Sequence, residues 1–299
     1  TAQERALCKQ GVDAMSKRIH QATTVVFAGD DQNALYRVLF DNHHNPYPWT
    51  AALRQRAVIA SVGQSSAVLS GGSNKRGPVP MLSSGDAVAA LLSTSGQANE
   101  VSGYTPISYV ASGGLGTIDV GIIDSHFSER NHTLRLFAAV QQSGQIAGYG
   151  VDESTALVTI ASPQGSVATV LGQSGVAKIT PLDGNSFLYS YYPSGVRLED
   201  IDGQWQLAEQ TQAASVQGPK GQSLPDVRFG DILYDSKLRS LTQAMCLTAS
   251  ERAQAEQYLH GLYWDFNLTQ LPDTQFINTG VGNNACAIEG LQITFARRQ

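Results

Sequence analysis

Ser65 stands in the run G-Q-S-S-A (63–67), directly after the apolar stretch AVIASV (57–62). A strand-to-helix turn of this kind suits a hydrolase nucleophile, because small neighbours let the backbone turn sharply and leave the hydroxyl exposed. A serine at such a turn also serves as a capping residue, and the run by itself does not separate the two roles. The hydroxyl attacks only when a base takes its proton, and the chain offers six histidines. His20 closes a helical stretch, His43 and His44 fall in the polar loop DNHHNPYP, His132 sits at a helix start and His260 fits a helical face. His126 instead follows an apolar run of strand length, as Ser65 does, which makes it the candidate base; a core histidine is the competing reading. A carboxylate should then orient the imidazole and stabilise it when protonated. Asp124, Asp152 and Glu153 are the candidates, and spacing alone does not choose among them. The chemistry of such a set is acyl transfer through a serine ester.

Strands and helices must hold these residues together. Residues 4–20 mix apolar and charged side chains at helical spacing, and TTVVFA (23–28) reads as a short buried strand. The order recurs in TAALRQR followed by AVIASV (50–62), while IDVGIID (118–124) and TLRLFAAVQQ (133–142) give a third strand and its helix. Helices alternating with buried strands predict an α/β fold around a mostly parallel sheet covered on both faces. Function gathers beyond the carboxyl ends of such strands, where this chain has GDDQ (29–32), GQSSA (63–67) and DSHFSER (124–130). From Ala156 the segments ALVTIA, SVATVLG, VAKIT and SFLYSYY are separated by PQG, QSG and PLDGN turns, so antiparallel strands are added to the sheet. The polar stretch 206–226 reads as a loop or linker between an α/β domain (1–205) and a carboxyl-terminal extension (227–299) packed on it. Thr248 and Glu251 have capping-box spacing, which predicts a helix through Leu262, and LQITFARR closes the chain as a strand.

Composition narrows the function classes. The 299 residues suffice for a sizeable core, and 42% apolar with 15% charged residues describes a loop-rich globular chain. A net charge of -5 supplies no basic field for phosphates, so nucleic acid is not an expected partner. No apolar run approaches the roughly 20 residues that cross a bilayer, so no membrane partner is expected either. Cys8, Cys246 and Cys286 lack zinc-site spacing, and no metal is expected. Cys246 and Cys286 are either a disulfide or two reduced thiols. The scarcity of Lys and the abundance of Ser, Thr and Gln suit a secreted or periplasmic location, with a cytoplasmic one as the alternative; an export signal would lie upstream of Thr1.

In order along the chain, GDDQ, VIASVGQSSA, IDVGIIDSHFSERNHTLRL and GYGVDESTALV resemble the blocks of the cyanophycinase and aspartyl-dipeptidase family of serine peptidases. The resemblance covers roughly Val25 to Ser190. It implies a three-layer α/β sandwich like those of class I glutamine amidotransferases and flavodoxin. It makes Ser65 the nucleophile, His126 the base and Glu153 the orienting acid, with the backbone N–H groups of Asp30 and Ser66 at the oxyanion. Gln32, Asp124, Arg130, His132 and Arg135 fall on substrate-contacting positions. The implied substrate is a peptide with β-aspartyl-arginine linkages, as in cyanophycin, and no cofactor is needed. The chain departs from the family pattern at Asp30, where a second Gly is usual, at Ser66, Ala67 and Val68 after the nucleophile, at Ser125, and at His132, where an Arg is usual. The alternative these departures motivate is a catalytically impaired homologue acting as a binding protein. The family also carries an opening strand before its first turn, so an upstream fragment of the same precursor is an expected partner, and a homodimer is compatible with the reading.

Overall fold

The computed structural model describes residues 2–87, 90–91, 105–162, 165–209, 221–248, 250–259, 261–279 and 286–298. Helices α1 (Ala2–Lys9) and α2 (Val12–Gln21) precede β1 (Thr24–Ala28), and α3 (Gln32–Leu39) and α4 (Pro48–Arg54) precede β2 (Val58–Val62). A 3₁₀ turn (Gly63–Leu69) follows, then the short strands β3 (Ser73–Asn74), β4 (Gly77–Pro78), β5 (Met81–Ser84) and β6 (Ser108–Val110). The next unit is β7 (Ile122–Ser125), α5 (Thr133–Ser143) and β8 (Gly148–Val151). Hairpin-connected strands come after it: β9 (Thr155–Ser162), β10 (Gly165–Gly172), β11 (Gly175–Pro181), β12 (Ser186–Pro193), β13 (Arg197–Ile201) and β14 (Gln204–Leu207). The carboxyl-terminal part adds β15 (Arg228–Phe229), α6 (Lys237–Leu247), β16 (Arg252–Leu259), β17 (Leu262–Thr269), β18 (Gln275–Asn278) and β19 (Cys286–Arg297).

These strands do not build the expected flavodoxin-like, mostly parallel three-layer sandwich. The dominant sheet is mixed, in the order β15-β16-β17-β19-β12-β11-β8-β7 with β18 beside β19, and only β7–β8 and β15–β16 pair in parallel within it. A second sheet, β14-β13-β10-β9, is antiparallel throughout. The reason is connection length. Parallel neighbours need a crossover of a dozen or more residues, which α5 provides between β7 and β8 and α6 between β15 and β16, whereas β9–β10, β11–β12, β13–β14 and β16–β17 are joined by tight turns that impose antiparallel pairing. Strands β1 and β2 are parallel as expected but, among the described residues, pair only with each other. Their outward Val26, Val58 and Val62 are more than half exposed, so they are not the doubly covered strands their apolar runs suggest.

Three cores fill the layers. Leu134, Phe137 and Val140 of α5 and Leu238, Leu241 and Met245 of α6 pack on one face of the large sheet against Ile179, Phe187, Leu291 and Phe295. The opposite face, through Tyr149, Val176 and Tyr192, packs on Ala168, Val170, Leu198 and Trp205 of the second sheet. Strand alternation explains the split, since Val176 faces one way and Ala177 and Ile179 face the other. The third core joins α3, α4 and the 3₁₀ turn through Tyr36, Leu39, Leu53, Val68 and Met81.

Two further expectations change. The capping-box helix through Leu262 is instead the β16–β17 hairpin, in which Ala253, Ala255 and Gln257 alternate inward. RAQAEQYL is rich in helix formers, but its period of two turns Ala253 and Ala255 inward together with Gln257, whose amide oxygen accepts the Leu233 N–H, and tertiary burial overrides propensity. The stretch 206–226 begins inside β14, whose last residue Leu207 is buried, as is Ala208 after it; residues 210–220 lie outside the described ones. Cys246 at the end of α6 is joined to Cys286 at the start of β19, and Gln243 reinforces the staple through both backbone groups of Cys286. The bridge closes a loop with a sequence separation of 40. Cys246→Ser should therefore lower unfolding stability by about 3 to 4 kcal/mol on chain-entropy grounds. Denaturant unfolding of variant and parent, each with and without reductant, tests this; a parent indifferent to reductant would show that the bridge is not formed.

Candidate active site

The elbow begins where β1 and β2 end side by side, with Ala28 opposite Val62. Gly29 follows β1 and the 3₁₀ turn follows β2, so both turns open at the same edge. Ser65 is buried, and its hydroxyl donates to the Gly29 carbonyl oxygen at 2.7 Å. The Ser65 N–H donates to the same oxygen at 3.1 Å. The peptide bonds are trans, so the N–H of Asp30 points opposite to the Gly29 carbonyl and away from Ser65. This corrects the expectation that the Asp30 N–H faces the oxyanion position, because a carbonyl oxygen faces the hydroxyl instead. Ser66 follows Ser65 in the same turn, half-buried.

His126 lies at the carboxyl end of β7 in a left-handed backbone conformation, φ 51°. An L-residue there is strained, and close packing of its successor imposes it. The Phe127 ring occupies the space over Gly150 of β8, where a Cβ would fall 2.0 Å from a ring carbon. The Phe127 N–H also donates to Val151. With Phe127 fixed, the imidazole is directed out of the sheet edge. Its Nδ1 lies 2.8 Å from Glu153 Oε1. In the tautomer that donates from Nδ1 to the carboxylate, Nε2 carries the lone pair. Nε2 is buried without a hydrogen-bond partner, and Asp30 Oδ1 lies 3.6 Å away.

The three carboxylates left open by spacing have three different partners. Glu153 reaches His126. Asp152 is fully buried and accepts from the Ser128 N–H at 3.0 Å, the Tyr191 hydroxyl at 2.9 Å and Arg239 Nη1 at 2.6 Å. Burial, then the neighbouring Glu129 charge, pushes the Asp152 carboxyl up in spite of Arg239. Asp124 is gripped by Arg135, with Nε donating at 2.8 Å and Nη2 to the second oxygen. Burial alone would raise the Asp124 carboxyl, but the Arg135 charge prevails and holds it far below the ordinary range. Arg135 and Asp124 are both buried, and the remaining Arg135 bond goes to the Gly85 carbonyl. In this geometry they tie β7 to α5 beneath His126, rather than waiting as open contacts for a ligand. His132 is buried too, its Nδ1 donating to the Ser125 carbonyl at 2.8 Å. Gln32 is buried with its amide donating to Ser83 at 2.6 Å. Arg130 alone of the expected substrate contacts keeps a half-exposed side chain, its Nε 3.8 Å from Glu153.

Two functional-looking groups have no signal in the sequence. Glu129 accepts the Glu153 N–H at 3.0 Å, and Arg239 of α6 bonds both Glu129 at 2.7 Å and Asp152 at 2.6 Å. Burial works against the Arg239 charge, and Asp152 and Glu129 overcome it. No family model matches the chain.

The Asp124–Arg135 pair makes a test with a definite sign. Arg135→Leu leaves a buried carboxylate uncompensated and should cost about 3 to 5 kcal/mol at pH 7. The folded Asp124 value lies below the unfolded one, so the pair's contribution is present above the ordinary value of 3.8 and is lost as pH falls through the depressed folded value. Urea unfolding at pH 7 and pH 3 should show the gap between parent and variant narrowing in acid. A gap of equal size at both pH values would remove the ion pair as its cause.

Proposed function

We propose that the protein is a serine hydrolase of the cyanophycinase-like peptidase family, cleaving β-aspartyl-arginine peptides through an acyl-enzyme. The observation that carries the reading is the His126–Glu153 hydrogen bond with an unpartnered Nε2 3.6 Å from Asp30, the residue after the Gly29 that receives the Ser65 hydroxyl. Ser65 Oγ attacks the substrate carbonyl while its proton passes to His126 Nε2, and Glu153 stabilises the imidazolium that forms. The tetrahedral adduct collapses as the C–N bond breaks, and Nε2 returns the proton to the leaving amine. Water then repeats the sequence on the ester, releasing the acid and restoring Ser65.

For this to proceed, the Ser65 hydroxyl must leave the Gly29 carbonyl, and the Gly29–Asp30 peptide must turn its N–H towards the elbow to hold the oxyanion. Arg130 is the cation available to a substrate carboxylate. Asp30, nearly three-quarters exposed beside Nε2, is placed to receive the cationic arginine end. The Cys246–Cys286 bridge favours a secreted or periplasmic setting over the cytoplasm, where thiols are kept reduced.

A second reading has its own observation. The Gly29 carbonyl facing Ser65 and Asp30 beside Nε2 fit a homologue that binds peptide without efficient turnover. A fluorophosphonate probe separates the two. Ser65 should be labelled in the parent and in Ser66→Ala but not in Ser65→Ala or His126→Ala, and Ser65→Ala should lower hydrolysis of a β-aspartyl-arginine peptide on the order of a thousandfold. Folded parent protein that takes up no probe would favour the binding reading.

A further inference from the structure

We infer that Arg239, supplied by the carboxyl-terminal helix α6, is a positioning residue of the site: by spanning Glu129 and Asp152 it fixes the turn that aims Glu153 at His126. Each link is a hydrogen bond. Arg239 Nη1 donates to Glu129 Oε1 at 2.7 Å and to Asp152 Oδ2 at 2.6 Å. Glu129 Oε2 accepts the Glu153 N–H at 3.0 Å, and Asp152 Oδ1 accepts the Ser128 N–H at 3.0 Å. Glu153 Oε1 then receives His126 Nδ1. The segment leading into α6 also donates the Ser236 N–H to the Ser128 carbonyl at 3.2 Å. Residues 126–129 and 152–153 are thus cross-linked to each other and to α6.

The chemistry explains why a guanidinium suits this place. Two carboxylates that approach one another repel, and the two N–H groups of one planar nitrogen, Nη1, donate one to each and set them at a fixed separation about the cation. Glu153 is about half exposed, so no packing of its own holds its side chain against the imidazole. Its direction comes from the backbone on which it sits, and that backbone is held by Glu129 and by its neighbour Asp152. Without Arg239 the Asp152 carboxylate, wholly buried, would have lost its only cation among the contacts of the described residues. The turn could then relax only by letting Asp152, and Glu153 with it, move.

Glu129→Gln is the cleaner variant, because Arg239→Leu strands a buried charge and can fail to fold. Glu129 is a quarter exposed, and neutralising it leaves the Asp152–Arg239 pair intact, so thermal stability should not fall. A merely structural role predicts no other change. A positioning role predicts loss of the far-downfield proton resonance of the His126 Nδ1–H, identified by its absence in His126→Ala. It also predicts a kcat lower by roughly tenfold to a hundredfold, with KM for the β-aspartyl-arginine peptide little altered. Arg239→Lys, which keeps the charge but not the reach and planar N–H directions of Nη1, should lose the resonance in the same way. The kinetic arm rests on the serine-hydrolase reading, while the resonance does not. If the parent neither hydrolyses peptide nor takes up a fluorophosphonate, that reading fails and the resonance alone decides the clamp. A resonance in both variants that matches the parent's would overturn the inference.

Discussion

One guanidinium answering two carboxylates is the interaction on which the site's geometry depends. Glu129, Asp152 and Arg239 together carry one negative charge more than they can cancel, in surroundings where Asp152 has no water to help it. Such a group is a poor source of stability, because removing charges from water costs about as much as their attraction returns. Its value lies in direction. Its bonds converge on two short turns, which the Phe127 N–H on Val151 and the Tyr191 hydroxyl on Asp152 also hold. The carboxyl-terminal residues belong to the site for that reason, and the disulfide from α6 to β19 secures the helix that delivers the guanidinium.

Close backbone packing supplies the rest of the precision. Gly148 and Gly150 of β8 leave no room for any side chain, the first against Leu136 and Val140 and the second beneath Phe127. Their absence of a Cβ lets α5 and the residue after His126 press onto the sheet. Asp124 and Arg135 bind the neighbouring strand β7 to the same helix, and His132 closes the arrangement on Ser125. The unit β7–α5–β8 is consequently held on both faces, and strain at His126 is carried by its neighbours rather than relieved.

The parts of this that the sequence reveals are those with a local period. ALVTIA, SVATVLG, VAKIT and SFLYSYY alternate because each strand has two different faces, and β9 to β12 follow. β1 and β2 are equally visible as apolar runs, yet nothing in such a run specifies its neighbour, so the expectation of one parallel sheet failed at pairing rather than at strand identity. β16 is hidden because helix-forming Ala, Gln and Glu occupy its alternating pattern. For the site, strand-end position picks out Ser65 and His126, while the choice of Glu153 over Asp152 needs either the family resemblance or the coordinates. The Arg239 contacts span 87 and 110 residues, and a lysine- and arginine-bearing helix looks alike whether its cations meet solvent or buried acids.

The elbow poses the remaining energetic question, which is whether the Gly29 carbonyl at Ser65 rules out catalysis. Turning that peptide breaks two hydrogen bonds, from the Ser65 hydroxyl and the Ser65 N–H. Each is worth a net ~0.5 to 1.5 kcal/mol, so the turn costs about 1 to 3 kcal/mol before any new contact forms. An oxyanion donor returns about 3 to 4 kcal/mol in the transition state. The backbone change falls partly on Gly29, whose φ of 155° lies where glycine moves freely, and not on Asp30 alone. The hydroxyl released by the turn has the bare Nε2 of His126 as its acceptor, which offsets part of what is lost. On these magnitudes the resting turn does not by itself forbid the proposed acylation. Asp30 is the larger obstacle, since its carboxylate stands 3.6 Å from Nε2, in space that the reacting groups would need. A cationic substrate group that draws Asp30 away would remove that obstacle as it binds, so the residue that departs most from the family pattern would make turnover depend on the charge of the substrate.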